Sequence, residues 1–409
     1  MSVRAAGMRA ATAARGRRMG TSAEAKLVVA LVWAATRVGL VIVLLWSLLR
    51  GSFTLTEALS GWDAEHYIRL ADHGYSGLND WAFFPGLPLV LRGASAIGIA
   101  PPVAGALLSL VSSAFAAAAL YRLGSQGWGW GKKHQPVAGA IAASAWLLAP
   151  TTVFTTVAYT EAPFCAAAFW AWERARAGKW PAAAVLAACA CTLRVSGLFL
   201  IAALCVLAIV GNDRDDQLHR SKRATDWRSR VGNAAWLVIP AAALLAYPAW
   251  LYTQTGSWLT WFEAQQVGWS RQFTPPLEAL QRTLDAAVPS AWPDRPRVAL
   301  IFAAEVISMA VGVSVTLVCL VRRRWAEATW VGLQVVALGT SYWYMSINRA
   351  VLLWFPLFLA IGAVLGGPFQ RRTGPWRVPV AMLIGVLAAI SALVAAGWAW
   401  LLYTWQWAS

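Results

Sequence analysis

Residues 27–49 read LVVALVWAATRVGLVIVLLWSLL, an apolar stretch whose only charged residue is Arg37. As an α-helix it would be about 35 Å long, enough to cross a hydrocarbon core of roughly 30 Å. Similar stretches recur along the 409-residue chain, in which 59% of residues are hydrophobic, 13% are charged and mean hydropathy is +0.55. These values predict an all-α, polytopic membrane protein with little room for a soluble domain.

The apolar stretches predict about eleven transmembrane helices. Two of them, 181–193 and 195–211, could instead form one long tilted helix. We favour the pair because that topology places most of the 34 lysine and arginine residues on the predicted cytoplasmic side. Both pieces are short, so they are expected to be re-entrant or buried among other helices. The predicted helices lie near 27–49, 100–121, 136–150, 154–172, 181–193, 195–211, 233–252, 298–321, 326–345, 350–366 and 378–403.

This topology divides the chain into a tail and one membrane domain. Residues 1–26 are basic and rich in small residues, which predicts a disordered cytoplasmic tail. Residues 27–409 form the membrane domain, with large outer loops at 50–99 and 253–297. We expect a multi-pass protein of the cell membrane, with a cytoplasmic N-terminus and an outward-facing site, because many acidic residues fall in these outer loops.

The charge and cysteine content argue against two other classes. The net charge of +16 lies in short clusters between apolar stretches, so it indicates topology and not nucleic-acid binding. All five cysteines lie inside apolar stretches, which makes a disulfide or zinc framework improbable.

The first outer loop contains the segment GWDAEHYIRLADHGY, residues 61–75, which is unusually rich in charge. A helix starting at Asp63 would pair Glu65 with Arg69 one turn later. In one interpretation Asp63 only caps this interfacial helix. In the other, it is a carboxylate beside the membrane that takes the proton of an acceptor hydroxyl during sugar transfer, a reaction with an oxocarbenium-like transition state.

Four segments resemble motifs of the PIG-V family, membrane mannosyltransferases of the GT-C type. WDAEHYIRLADHGY followed by WAFFPGLPLVLR resembles the family's W-D-x-x-H-[FY], GY and FFP-x-x-P pattern. AYTEAPFCAAAFWAWERARAG resembles its [ST]-E-[SA]-x-F helix, and TLRVSGLFL resembles its R-x-x-G turn. NRAVLLWFPLFL is similar to the R-Y-x-x-x-x-F-P segment of bacterial members, with Ala350 where tyrosine is usual.

The resemblance implies an inverting glycosyltransferase on the outer side of the membrane. It would move mannose from polyprenyl-phosphate-mannose to a glycolipid or envelope glycan. We expect no metal or other cofactor, because the acidic residues of the outer loops lack a paired D-x-D spacing. By motif position Asp63 takes the catalytic carboxylate role. The lipid tail of the donor would need an apolar groove on the protein, open to the surrounding membrane lipids. The phosphate leaving group would need one or two nearby cations.

Six further residues are candidates for binding substrate. His66 and Tyr67 follow Asp63 by one helical turn on the same face; His66 could hydrogen-bond the acceptor, hold Asp63 in place, or be only an interfacial polar residue. Glu161 could bind sugar or acceptor hydroxyls, or be a carboxylate at the end of a helix. The six candidates are Trp62, His66, Tyr67, Glu161, Arg194 and Arg349.

The two arginines among these candidates each have an alternative role. Arg194 lies between two apolar stretches, where an unpaired charge is costly, so it is expected to pair with the donor phosphate or with Glu161. Arg349 could also clamp phosphate, or extend its charge to the membrane surface.

Two charged residues inside predicted helices, Arg37 and Glu305, motivate a rival function as a lipid-linked-sugar transporter or flippase. For Glu305 we favour pairing with a polar group of another helix. A second rival is a non-catalytic scaffold of an envelope-synthesis complex, whose polar loops bind proteins.

Overall fold

The computed structural model describes residues 3–51, 53–127, 135–211, 227–371 and 377–408, and every regular element in them is helical. The prediction of an all-α protein is therefore confirmed. The α-helices are α1 (Val3–Arg50), α2 (Leu55–Leu59), α3 (Asp63–His73), α4 (Gly86–Ala96), α5 (Pro101–Ser125), α6 (Pro136–Leu147), α7 (Glu161–Arg176), α8 (Trp180–Cys191), α9 (Gly197–Val210), α10 (Trp227–Ala235), α11 (Val238–Thr255), α12 (Thr260–Trp269), α13 (Pro276–Ala286), α14 (Arg297–Val321), α15 (Trp325–Gly339), α16 (Ile347–Ala350), α17 (Phe355–Arg371) and α18 (Arg377–Tyr403).

Several helices have the length and composition of membrane spans. Within the described residues there are five, at Ser22–Arg50, Pro101–Ser125, Trp227–Thr255, Arg297–Val321 and Val378–Tyr403. A sixth is formed if Ile347–Leu353 and Phe355–Gly366, bent by 67°, count as one broken span. The chain is a multi-pass membrane protein. Each of the eleven predicted stretches contains a helix, but several helices are short, so the number eleven is not confirmed.

Residues 181–211 form two helices, as predicted. α8 ends at Cys191 and α9 begins at Gly197, and the turn between them carries Arg194. The backbone is tightly packed here, because a Cβ at Gly197 would meet Cys191. The turn therefore brings Arg194 to the same end of the bundle as the first outer loop.

The start of the chain differs from the prediction. α1 begins at Val3, inside the segment 1–26 for which we expected disorder. The physical reason is that this segment is rich in alanine, which has the highest helix propensity of any residue.

The centre of the bundle is built on close helix contacts between small residues. α6 packs against α5 at Gly139, where an added Cβ would overlap the carbonyl oxygen of Tyr121 and the hydroxyl of Ser125. Small residues allow helix backbones in membranes to approach closely, and dispersion forces then stabilise the contact. On the other face of α6, Gly362 and Gly366 of α17 come equally close to Ala138.

Gly139→Ala should lower the free energy of unfolding by about 1–3 kcal/mol, since a methyl group has no room at this contact. The matched control is Gly385→Ala in α18, because a Cβ there meets nothing within 4 Å. Thermal unfolding in detergent measures both. Equal melting temperatures for the two variants would contradict the packing described.

Candidate active site

The predicted first outer loop, residues 50–99, directs Asp63 towards the bundle. α3 begins at this residue, after Trp62, whose φ of 59° lies in the left-handed region. The N-cap position of α3 is held by Trp62 and not by Asp63, and the Trp62 side chain makes no capping hydrogen bond. The Asp63 carboxylate is engaged elsewhere. It accepts a hydrogen bond from Nη1 of Arg349, at 2.6 Å. The interpretation that Asp63 only caps α3 is therefore wrong.

A second ion pair lies directly beside the first. Nη1 of Arg194, in the α8–α9 turn, is 2.8 Å from Oε1 of Glu161, the first residue of α7. Nε of Arg349 is 3.8 Å from the same oxygen. The two carboxylates and two guanidinium groups thus form one continuous cluster of alternating charge, in which Arg349 contacts both acids.

Burial and charge act in opposite directions on Asp63. Burial alone would raise the pKa of its carboxyl group, but the positive charge of Arg349 and the hydrogen bond from it outweigh that effect and hold the pKa below its ordinary value. Asp63 is therefore ionised at neutral pH. A group in this state can accept a hydrogen bond or a proton from a hydroxyl.

Glu161 has unused hydrogen-bonding capacity. Its side chain is only 1% exposed, and Oε2 is buried with no hydrogen-bond partner among the described residues. A buried carboxylate oxygen without a partner costs free energy. A hydroxyl group of a bound ligand would remove that cost.

The charged cluster opens onto a cavity of about 480 Å³, a size typical of small-molecule sites. Its polar wall comes from α3, α7, the α8–α9 turn and α16. Its apolar wall comes mainly from α9, α12, α15 and the segment after α12, and includes Leu198, Phe199, Phe262, Phe273 and Leu338. The cavity thus joins charged groups to apolar surface.

Five of the seven residues selected from the sequence line this cavity: Asp63, Tyr67, Glu161, Arg194 and Arg349. The other two lie beside it. His66 stacks on Phe83, with ring centroids 4.8 Å apart, and the indole of Trp62 donates a hydrogen bond to the carbonyl oxygen of Gln406. Roles for His66 and Trp62 in binding remain predictions.

The ion pair expected within α3, between Glu65 and Arg69, is replaced by an ion pair with a residue outside the helix. Arg69 forms its ion pair with Asp80 and not with Glu65. Burial would raise the pKa of Asp80, but the hydrogen bond from Arg69 and the backbone N–H groups of Ser76 and Gly77 lower it to about 2. These bonds fix the loop that follows α3. The i,i+4 spacing rule applies within one helix and therefore does not predict the Arg69–Asp80 ion pair.

Glu305 pairs with the backbone at the start of α16. It is fully buried in α14, and its carboxylate accepts hydrogen bonds from the backbone N–H groups of Ser346, Ile347 and Asn348, at 3.0, 2.7 and 2.9 Å. These N–H groups begin the short helix α16, which carries Arg349. The expectation that Glu305 pairs with a polar group of another element is confirmed, and through α16 it positions Arg349.

Comparison with known proteins identifies the region that carries most of this cluster. Residues 47–225 match the family model described as mannosyltransferase (PIG-V). The match covers less than half of the chain. Asp63, Glu161 and Arg194 lie inside the matched region, and Arg349 lies outside it.

Curated relatives match over a similar stretch. GPI alpha-1,6-mannosyltransferase 2 is 35% identical over 154 residues in Mus musculus and 33% identical over 154 residues in Homo sapiens, each covering 35% of this chain. GPI mannosyltransferase 2 of Chaetomium globosum is 29% identical over 133 residues, or 28% of this chain. The matched stretch spans only 30%, 30% and 27% of these relatives, respectively.

A solved structure aligns over more of the chain at low identity. It is the archaeal oligosaccharyltransferase AglB from Archaeoglobus fulgidus, in complex with an inhibitory peptide and a dolichol-phosphate. The TM-score is 0.47 and the identity 14%, over 89% of this chain and 56% of that one.

Glu305→Ala should lower the free energy of unfolding by about 2–4 kcal/mol, because it leaves three buried N–H groups without an acceptor. Glu305→Gln should cost less, since it keeps one acceptor oxygen. The control is Glu278→Ala, which removes an exposed pair with Arg282 and should cost less than about 0.5 kcal/mol. Equal losses in the Glu305→Ala and Glu278→Ala variants, measured by denaturation in detergent, would refute the anchoring role.

Proposed function

We propose that this protein is an inverting, GT-C-type glycosyltransferase. It transfers a mannosyl residue from polyprenyl-phosphate-mannose to a hydroxyl group of a lipid or glycan acceptor on the outer face of the membrane. The observation that carries the proposal is the ionised Asp63, paired with Arg349, in the wall of a cavity that also offers Glu161 and an apolar surface. The PIG-V family match of residues 47–225 supports the choice of mannose.

In the proposed reaction one displacement occurs at the anomeric carbon. The acceptor oxygen forms the new bond while the bond from the anomeric carbon to the phosphate oxygen breaks, and that electron pair stays on the phosphate. The acceptor proton passes to Asp63. As Asp63 becomes neutral, its attraction for Arg349 weakens, so the guanidinium charge is available to the phosphate at the moment its negative charge increases.

The unpartnered oxygen of Glu161 supports a role in holding the sugar. Sugar hydroxyl groups are hydrogen-bond donors, and Oε2 of Glu161 is a buried acceptor in need of one. The ion pair with Arg194 holds this carboxylate in place. We assign Glu161 to sugar or acceptor hydroxyls, and not to proton transfer.

The apolar wall supports a lipid-linked donor. Leu198, Phe262 and Phe273 are 49%, 62% and 82% exposed, and all three line the same cavity as the charged cluster. A prenyl chain bound along them would leave its phosphate near the arginines.

The structure gives little support to the rival functions. A transporter would use the charged groups inside its helices along a path, but the Glu305 carboxylate is occupied by the backbone of α16. A scaffold would not need a buried alternating-charge cluster facing a cavity.

Asp63→Asn should reduce mannosyl transfer at least 100-fold, because the amide cannot accept the acceptor proton. The control is Asp72→Asn in the same helix, an exposed residue that should keep full activity. The assay follows labelled mannose from synthetic polyprenyl-phosphate-mannose to extracted membrane acceptors, with melting temperatures measured in parallel. Undiminished transfer by the folded Asp63→Asn variant would end the proposal.

The pH dependence follows from the lowered pKa of Asp63. Its ordinary value is 3.8, so the carboxylate is ionised well above that pH and becomes protonated only below it. Transfer should therefore show no loss from Asp63 protonation between about pH 5 and 8. A loss of transfer activity towards low pH with its midpoint above about pH 5, seen also in the His66→Gln variant, would contradict this assignment.

A further inference from the structure

A third arginine faces the cavity without belonging to either ion pair. Arg271 lies just after α12, where Ser270 adopts a left-handed φ of 52°, and its backbone N–H donates to Gln265 at 3.2 Å. Three residues later, the N–H of Thr274 donates to the carbonyl oxygen of Thr340 at the end of α15, at 2.8 Å. The segment is thus anchored at both ends, and Arg271 lines the cavity of Asp63 and Glu161.

Arg271 stands apart from the direct ion pairs of the cavity. Asp63 and Glu161 are paired with Arg349 and Arg194. Within the part of the chain that the structure describes, the guanidinium of Arg271 has no hydrogen bond and no ion pair, and the carboxylates of Asp63 and Glu305 act on it only at longer range. Burial, then the charges of Arg349 and Arg194, lower the pKa of Arg271 to about 10. It remains protonated at neutral pH, with its hydrogen-bond donors available to a ligand in the cavity.

We infer that Arg271 binds the phosphate group of the lipid-linked donor and of the polyprenyl-phosphate product. The inference rests on the proposed function and adds to it a specific phosphate ligand. A phosphodiester donor carries one negative charge, which a guanidinium attracts and binds through hydrogen bonds. The product is a monoester with a charge near −1.5 to −2 at neutral pH, so it attracts the same group more strongly.

The surroundings favour the phosphate of a lipid over a free phosphate ion. Phe273, two residues from Arg271, is 82% exposed, and Phe262 of α12 is 62% exposed. Both line the cavity beside Arg271. A ligand that places an anion on Arg271 and an apolar chain on these rings uses both features. A guanidinium can also bind two phosphate oxygens at once, which an ammonium group does less well.

The test measures ligand binding directly, with the full-length protein in phosphatidylcholine nanodiscs. The probe is a fluorescent short-chain polyprenyl phosphate. Arg271→Gln should weaken its binding at least tenfold, and Arg271→Lys should weaken it less. The control is Arg282→Gln on α13, whose side chain pairs with Glu278 and is not among the residues that line the cavity. It should bind as the unmodified protein does, and melting temperatures check that each variant is folded.

Four competitors identify the source of the phosphate. Unlabelled polyprenyl phosphate should displace the probe, whereas the uncharged polyprenol, inorganic phosphate and phosphatidylglycerol should not at the same concentrations. If phosphatidylglycerol displaces the probe, and Arg271→Gln weakens its binding as much as that of polyprenyl phosphate, the assignment to the donor would be overturned. Unchanged probe affinity in folded Arg271→Gln would also overturn it.

Activity separates this inference from the proposed function. If the inference is right, Arg271→Gln should raise the KM for the donor more than it lowers kcat. If the protein binds the probe through Arg271 but transfers no mannose, the proposed function fails and the phosphate site stands. If mannose is transferred and Arg271→Gln has no effect on binding or KM, the proposed function stands and the inference fails.

Discussion

The ion pair between Arg349 and Asp63 joins two parts of the chain that are 286 residues apart. Both side chains are largely enclosed, with exposed fractions of 11% and 19%. An enclosed charge without a partner is strongly unfavourable near a membrane, so each residue requires the other. This constraint ties the first outer loop to the broken span at 347–366, and the walls of the cavity follow from that arrangement.

The pair holds its geometry because the backbone on each side is fixed by buried polar contacts. Glu305 accepts three N–H groups at the start of α16, and Asn348 of that helix accepts a hydrogen bond from Thr151 through its carbonyl oxygen. On the opposite side, the hydroxyl of Tyr159 accepts a hydrogen bond from the N–H of Asp63. Irregular backbone can lie at membrane depth only where such partners are available, and here it carries the charged groups of the cavity. The proposed chemistry therefore depends on residues that need not touch the substrate.

Much of this site could be found from local sequence because its residues are conspicuous where they occur. Arg194 lies between apolar stretches, where a charge needs a partner or a ligand, whereas Asp63 and Glu161 were selected mainly because their motifs resemble those of the PIG-V family. Arg271 was less conspicuous, because it lies in an outer loop among many polar residues and tryptophans, where a charge is ordinary. The Arg69–Asp80 contact was missed since residue spacing within one helix says nothing about a loop that folds back on it.

The sequence by itself determined that the chain is helical and crosses a membrane several times, because apolar runs of sufficient length have no other stable arrangement in lipid. It also determined which charged residues needed a partner. Only the tertiary structure decided the partners: Asp63 with Arg349, Arg194 with Glu161, and Glu305 with the backbone of α16. From the sequence alone, several pairings of these charged residues would be equally satisfactory. The packing of small residues between α5, α6 and α17, and the turns at Arg194 and Ser346, select one of them in space.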